Sequence, residues 1–357
     1  MRDVAIVSFA QSKYARRVDD LIEVEMLMPV TRQVLDQIDA TIADIGFTCS
    51  GSTDYLAGTA FSFVSTLDAV GPWPPIQESH VEMDGAWALY EAWVKIQLGE
   101  IDTALVYSYA KSSPGDLPMV LTRQLDPYTV APLWPDSISL AALQAQALVD
   151  SGQASVADMA EVAARSRRNA QANPHAQLTW DRPATDLLAE PELVSPLRRH
   201  DCPPITDGAA AVVLAAGDAA HRWSDRPAWI RGIDHRVEPI SLGLRDLTTS
   251  ASTKLAGEKA GALSNGSAAK PVDVAELHAP FTHQELILRD ALGLADHQNV
   301  NPSGGALSAN PMMTAGLIRL GEVATRISGG EADRGIAHAT SGPCLQQNLV
   351  CVMEGDS

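Results

Sequence analysis

The chain has 357 residues, 46 % of them apolar, and a formal charge of 26 − 44 = −18. That length supports two large domains or one duplicated domain. The acidic balance argues against nucleic acid or an anionic membrane surface as a partner, since either needs a clustered basic footprint.

In chain order, "VAIVSFA" (4–10) is a short β-branched run that reads as a buried strand. The N-terminus lacks the long apolar stretch of a signal peptide or membrane span. "IEVEMLMPVTRQVLDQI" (22–38) has helical periodicity, and "ADIGFTCSG" (43–51) reads as a strand ending in a Gly/Ser turn. "SHVEMDGAWALYEAWVK" (79–95) reads as a helix apolar on nearly every face, entered from a turn at Asp84 and Gly85. Asp84 is a favoured N-cap there. His80, Glu82 and Asp84 alternate, but nothing else supports a metal site and none is assigned. "GEIDTALVYSYA" (99–110) is a turn leading into a strand. Strands alternating with helices indicate an α/β fold with a largely parallel sheet. The four cysteines, Cys49, Cys202, Cys344 and Cys351, lie apart with no Cys-x-x-Cys pair. The expectation is a reducing, cytoplasmic setting without disulfides.

The pattern then repeats. "GEIDTALV" (99–106) returns as "GEADRGIA" (330–337), with Asp102 matching Asp333 at an offset of 231. "ADIGFTCSG" has a counterpart in "VDVAELHAP" (272–280), with Asp44 matching Asp273 at an offset of 229. "VAIVSFA" pairs with "AWIRGID" (228–234). Three matches in order indicate a tandem duplication. The expected division is 1–222 and 223–357, the first half enlarged by an inserted subdomain over about 110–195. Long excursions of this kind commonly form lids or ligand contacts.

A duplicated βα half with a long insert in its first copy resembles the thiolase superfamily. "VNPSGGALSANPMMTAGLIRLGEVATRI" (300–327) is similar to its glycine-rich segment and following helix, and "VAELHAPFTHQELI" (274–287) to its Asn/His-x-x-Phe loop. "CPPITDGAAAVVLA" (202–215) resembles the strand closing the first half, and "RSRRNAQANPHAQ" (165–177) the insert helix. The subgroup it resembles is the sterol-carrier-protein-x and nonspecific lipid-transfer-protein type, which includes actinobacterial proteins of steroid side-chain breakdown. The resemblance implies two βαβαβαββ halves in an α-β-α-β-α layering. It also implies coenzyme A as part of the substrate, and no covalently bound cofactor.

Against that family the chemistry is altered. The nucleophilic cysteine of thiolases opens the buried helix of the first half, where this chain has "VEMDGAW". The histidine that activates it is replaced by Asn310 in "SANPMM", and an amide takes no proton at neutral pH. Losing nucleophile and base together is coherent, since the base serves only that thiol. The loop histidine is kept as His278, and Cys344 in "SGPCLQQN" stands near the late catalytic cysteine. The expected catalytic set is therefore His278, Asn310 and Cys344, with Tyr90 and Tyr109 as weaker candidates. Gly304, Gly305 and Asp84 are expected at the substrate, and Arg165, Arg167 or Arg168 at the phosphates of coenzyme A.

Two functions follow from the resemblance. One is a thiolase-fold lyase that splits a bulky, steroid-derived acyl-CoA by a retro-aldol route without an acyl-enzyme. The other is a catalytically reduced subunit that completes an active thiolase-like chain, or a small OB-fold/zinc-ribbon protein. Thiolase folds dimerise through an edge of the first-half sheet, which places that edge near "DTALVYSY".

Overall fold

The computed structural model describes residues 2–264, 266–294 and 299–356. Ten strands form one sheet: β1 Val4–Gln11, β2 Phe47–Gly51, β3 Glu78–Val81, β4 Thr103–Ala110, β5 Gly208–Ala216, β6 Ala228–Val237, β7 Val274–Leu277, β8 Asn299–Val300, β9 Arg334–Ser341 and β10 Gln347–Glu354. Their order is β8-β7-β9-β10-β6-β1-β5-β4-β2-β3. Read outward from the middle, β1-β5-β4-β2-β3 and β6-β10-β9-β7-β8 are the same sequence of strands. In each, the two outer pairings are parallel and the others antiparallel. The two fives join where Ala5 faces Trp229 and Ile6 faces Ala228 on antiparallel strands.

The repeat extends to side chains. Arg2 pairs with Asp102 just before β4, and Arg226 pairs with Asp333 just before β9. The structure corrects one register. Phe47 lies beside Ala104, and Val274 beside Gly335. With 335 − 104 = 231 fixing β4 on β9, β2 maps on β7 at 274 − 47 = 227, two less than the aspartates suggest.

Helices Gly85–Gln97 and Ala315–Ser328 share one apolar cluster with both halves of the sheet, from Phe47, Val106 and Val212 to Val274, Leu349 and Met353. Helix Glu23–Asp36 covers the opposite face of the first half through Leu27, Val30 and Val34. Helices Ala251–Lys259 and Thr282–Ala291 cover that of the second half through Ala256, Ile287 and Leu288. The layers are helix, sheet, paired helices, sheet, helix, as an α/β architecture with both sheet faces buried requires.

Between β4 and β5 run helices Leu117–Arg123, Ser137–Asp150, Val156–Asn169 and Ala184–Leu188. Ala141, Ala142, Ala145 and Met159 from this segment pack on Phe281 and Leu286 of the second half. The strand expected at the sheet's edge is instead interior. β4 lies between β5 and β2 with every residue buried, and the first half's edge is β3.

Candidate functional site at the His278–Asn310 pair

The paired helices meet at their N-termini, where both expose unpaired backbone N–H groups and a positive dipole end. Asp84 fills that point. Its carboxylate accepts from Ala86 N (2.8 Å) on its own helix, and from Gly316 N (2.9 Å) and Leu317 N (3.0 Å) on the other. A Cβ on Gly316 would stand 2.5 Å from Asp84 Oδ1, so only glycine admits this approach. Asp84 is 1 % exposed, and burial pushes its carboxyl up against the pull of three N–H donors and Arg319. Asp84 is thus an internal cap. The expectation that it contacts substrate is corrected, because its oxygens are spent on the two helices.

His278 follows directly on the end of β7, and its ring nitrogens are both engaged. Nδ1 accepts the backbone N–H of Thr340 (3.3 Å), which can only donate. Nδ1 therefore carries no proton, so the neutral ring is protonated at Nε2, 3.0 Å from Asn310 Oδ1. Burial pushes His278 down to about 4, which keeps the ring neutral. That bond fixes the Asn310 amide with Oδ1 towards His278. Its Nδ2 finds no protein partner among the described residues and is left to donate elsewhere. The Asn310 backbone N–H is tied to Thr206 Oγ1 (3.0 Å), which donates to Gln177 Oε1 (2.7 Å).

The other expected residues are not brought to this pair. Cys344 points its thiol at the Leu140 carbonyl (3.5 Å) among Leu125 and Leu140, and burial pushes it up to about 11. It is a protonated wall residue, which corrects its expected part in proton transfer. Gly304 and Gly305 spend their N–H groups on Asn301 O (2.9 Å) and Ser303 Oγ (3.2 Å), so neither amide faces a ligand. Gly304, at φ 93°, is required because a Cβ would lie 2.6 Å from Ala170 Cβ. Arg165 is paired with Glu285, and Arg167 is 3 % exposed against Trp180, with burial pushing it down to about 10. Arg167 is turned into the fold and the half-buried Arg165 is committed to Glu285, which corrects their expected role at phosphates. Arg168 is exposed, 3.9 Å from Asp181. Tyr90 packs edge-on to His235 (4.7 Å). Tyr109 lines a small cavity of about 20 Å³ with Ser112, Met312 and Met313.

Sequence reasoning missed the support behind the pair. Arg319 Nη1 donates to Glu276 Oε2 and Ser303 Oγ, both at 2.6 Å, all buried. Asn301, at φ 50°, bridges β7 and Glu285. The asparagine preceding Pro302 and the two glycines was the one visible signal. Among the described residues no three His, Cys, Asp or Glu side chains gather as metal ligands, and no helix is long and apolar enough to cross a membrane.

No family model matches the chain. Its overlay on the crystal structure of human mitochondrial 3-ketoacyl-CoA thiolase covers 100 % of this chain and 99 % of that one, with a TM-score of 0.78 at 16 % identity. The fold is the thiolase fold. A structure described as an Ltp2-ChsH2(DUF35) aldolase shares it, with a TM-score of 0.76 at 16 % identity over 99 % and 98 % of the two chains. By sequence the chain is 26 % identical to an acetyl-CoA acetyltransferase of Methanocaldococcus jannaschii, across 90 % of this chain and 89 % of that protein. It is 22 % identical to human sterol carrier protein 2, across 74 % of this chain and 54 % of that protein. The chain is thus similar in sequence to an acetyl-CoA acetyltransferase and to a sterol carrier protein, and it shares the thiolase fold.

Proposed function

We propose that this chain acts on a bulky acyl-CoA thioester, holds its carbonyl oxygen at the His278–Asn310 pair, and supports carbon–carbon cleavage of the retro-aldol type without an acyl-enzyme. The observation that carries this reading is the free Nδ2 amide of Asn310, oriented by the Nε2–H of His278. The site offers a donor to a developing oxyanion, and the helix at whose start the thiolase resemblance would put an attacking sulfur is capped here by Asp84. Cys49, on β2, is buried and pushed up to about 12, an inert core thiol.

In a β-hydroxyacyl-CoA the hydroxyl gives up its proton and the Cα–Cβ bond breaks. The electron pair passes into the thioester as an enolate, and a carbonyl compound leaves. Protonation at Cα returns a shorter acyl-CoA. A preorganised donor on the enolate oxygen contributes about 10²–10³ in rate in such sites. The relatives named for acetyl-CoA and for sterols support a CoA thioester, and a steroid-derived acyl group is the one favoured. Arg168 is the residue of its run left exposed for the phosphates.

A second reading has its own support. The Nδ1 lone pair of His278 is occupied, the Cys344 thiol is held protonated, and no base stands at the β-hydroxyl among the residues described at this pair. A subunit completed by a thiolase-like chain or a small OB-fold/zinc-ribbon protein would receive its base from that partner. Release of a ketone from a β-hydroxyacyl-CoA separates the two. Turnover by the purified chain that is lost in Asn310→Ala establishes the first reading. Turnover that needs a co-expressed partner and survives both Asn310→Ala and His278→Ala overturns it.

A further inference from the structure

The donor pair has no slack of its own, so what holds His278 in place matters as much as the ring. All the hydrogen-bonding groups of Asn301 converge on this task. Its N–H donates to Ala275 O (2.8 Å) in the middle of β7. Its Oδ1 accepts the N–H of Leu277 (2.7 Å), the residue before His278. Its Nδ2 donates to Glu285 Oε2 (2.9 Å), and its carbonyl accepts from Asn169 Nδ2 (3.1 Å) and Gly304 N (2.9 Å). Reaching all of these at once requires φ 50°, a left-handed conformation that asparagine tolerates better than most residues.

The links through Glu285, the Asn301 carbonyl and Gly304 run on to the insert helix Val156–Asn169 and the turn after it. Arg165 pairs with the other oxygen of Glu285, whose side chain is 1 % exposed. Ser166 donates to Gly304 O, Asn169 to Asn301 O, and Asn173 to Ser303 O (3.0 Å). The run "RSRRNAQAN" thus supplies side chains to three carbonyls of the glycine loop and one cation to the carboxylate beneath it. Buried polar groups so completely satisfied rigidify what they hold.

We propose that Asn301 is a positioning residue for the His278–Asn310 pair, and that the insert helix sets it through Arg165 and Asn169. The chain of contacts runs Arg165, Glu285, Asn301, Leu277, His278. A ligand that displaces the insert displaces His278 with it. This inference rests on the reading of His278 and Asn310 as the ligand donors, but its test does not use turnover.

Asn301→Gly keeps the left-handed backbone and removes only the two side-chain bonds. Arg165→Gln leaves Glu285 facing Arg289 at 3.9 Å, so the buried carboxylate keeps a cation and the fold is retained. The measurement is long-range ¹H–¹⁵N correlation on histidine-labelled, ligand-free protein, with His278 assigned among the nine histidines by the signal lost in His278→Gln. Wild type shows one His278 tautomer, protonated at Nε2. Both variants are expected to show a second signal set for the Nδ1–H tautomer and a His278 titration displaced upward. A wild-type tautomer and titration in either folded variant overturns the proposal. Because the tautomer is read in ligand-free protein, this result stands or falls whether or not Asn310→Ala abolishes turnover, so the two failures are distinguishable.

Discussion

Asp84 Oδ2 accepts the backbone N–H of Gly316 at 2.9 Å, so a carboxylate from one half of the chain caps the helix of the other. The same carboxylate caps its own helix through Ala86. Two helix dipoles are thereby neutralised by one buried charge at the place where the repeat brings the halves together. Asp84→Ala leaves three buried N–H groups without an acceptor and is expected to cost about 2–4 kcal/mol. Asp84→Asn turns amide protons towards N–H donors and is expected to fall between Ala and wild type. Urea denaturation measures both, and an Asp84→Ala midpoint equal to wild type would remove the shared cap.

How far the sequence reveals this arrangement is instructive at the aspartates. The match of Asp44 with Asp273 exposed the duplication but misplaced β7 by two residues. The two side chains do different work. Asp44 caps its own turn at Thr41 N (2.9 Å), whereas Asp273 receives the N–H groups of Asp333 (2.9 Å) and Arg334 (3.0 Å) across the sheet. A residue type recurs in sequence without recurring in register. His278 and Asn310 were legible as a pair because each stands in a distinctive string, yet the direction of their bond depends on the Thr340 N–H, which only β9 beside β7 supplies. The Arg165–Glu285 contact spans 120 residues between an insert helix and a second-half helix, and no local pattern encodes it.

Asn310 tests whether the amide is a donor. Asn310→Asp keeps the shape and still accepts from His278, but places a carboxylate where an enolate would form. It is expected to lower kcat/KM for β-hydroxyacyl-CoA cleavage by about 10²–10³, at least as much as Asn310→Ala. Circular dichroism should show both folded. Retained turnover in Asn310→Asp would show that the amide does not meet the oxyanion.

Acid stability should be set by histidines. Burial pushes His278 down to about 4, and His283 and His338 down to about 3 each. The unfolded chain binds protons at these positions near pH 6.5 while the folded chain does not. Their contribution is therefore complete above pH 6.5 and is lost as pH falls towards 4 and below, at about 1.4 kcal/mol per pH unit for each histidine. Asp84 acts in the other sense: with its folded value raised, its share is kept in acid and declines as pH rises. His283→Gln should lower the slope of stability against pH between 6 and 4 by about 1.4 kcal/mol per pH unit. An unchanged slope would show that His283 titrates alike in both states.

The first-half edge is where a second chain is expected to add. Among the described residues β3 pairs with β2 alone, and Phe61 and Trp73 in the segment before it are 70 % and 83 % exposed. An open edge beside exposed aromatics favours strand addition. Light scattering is expected to give twice the mass of the chain. His80→Pro, which removes a donor on the side of β3 turned away from β2, should reduce it to the mass of one chain. A wild-type monomer would remove the dimer, and a dimer indifferent to His80→Pro would place association elsewhere.

Cys344 bears on whether proton transfer involves sulfur at all. It and Leu345 hold consecutive left-handed conformations, at φ 54° and 58°. Arg245 pins that strained turn by donating to Cys344 O and Pro343 O, both at 3.0 Å, and Gln144 adds a bond to Cys344 O (3.4 Å). With its thiol on Leu140 O and held protonated near neutral pH, Cys344 should resist iodoacetamide in native protein, since the thiolate is the reactive form. Cys344→Ser should leave turnover within a few-fold of wild type. Arg245→Gln, which frees two carbonyls of the turn, should make Cys344 alkylate faster than the other three cysteines in the folded protein, as peptide mass spectrometry reads directly. Prompt labelling of Cys344 in the wild type would restore it as a candidate base, and with it a chain able to catalyse alone.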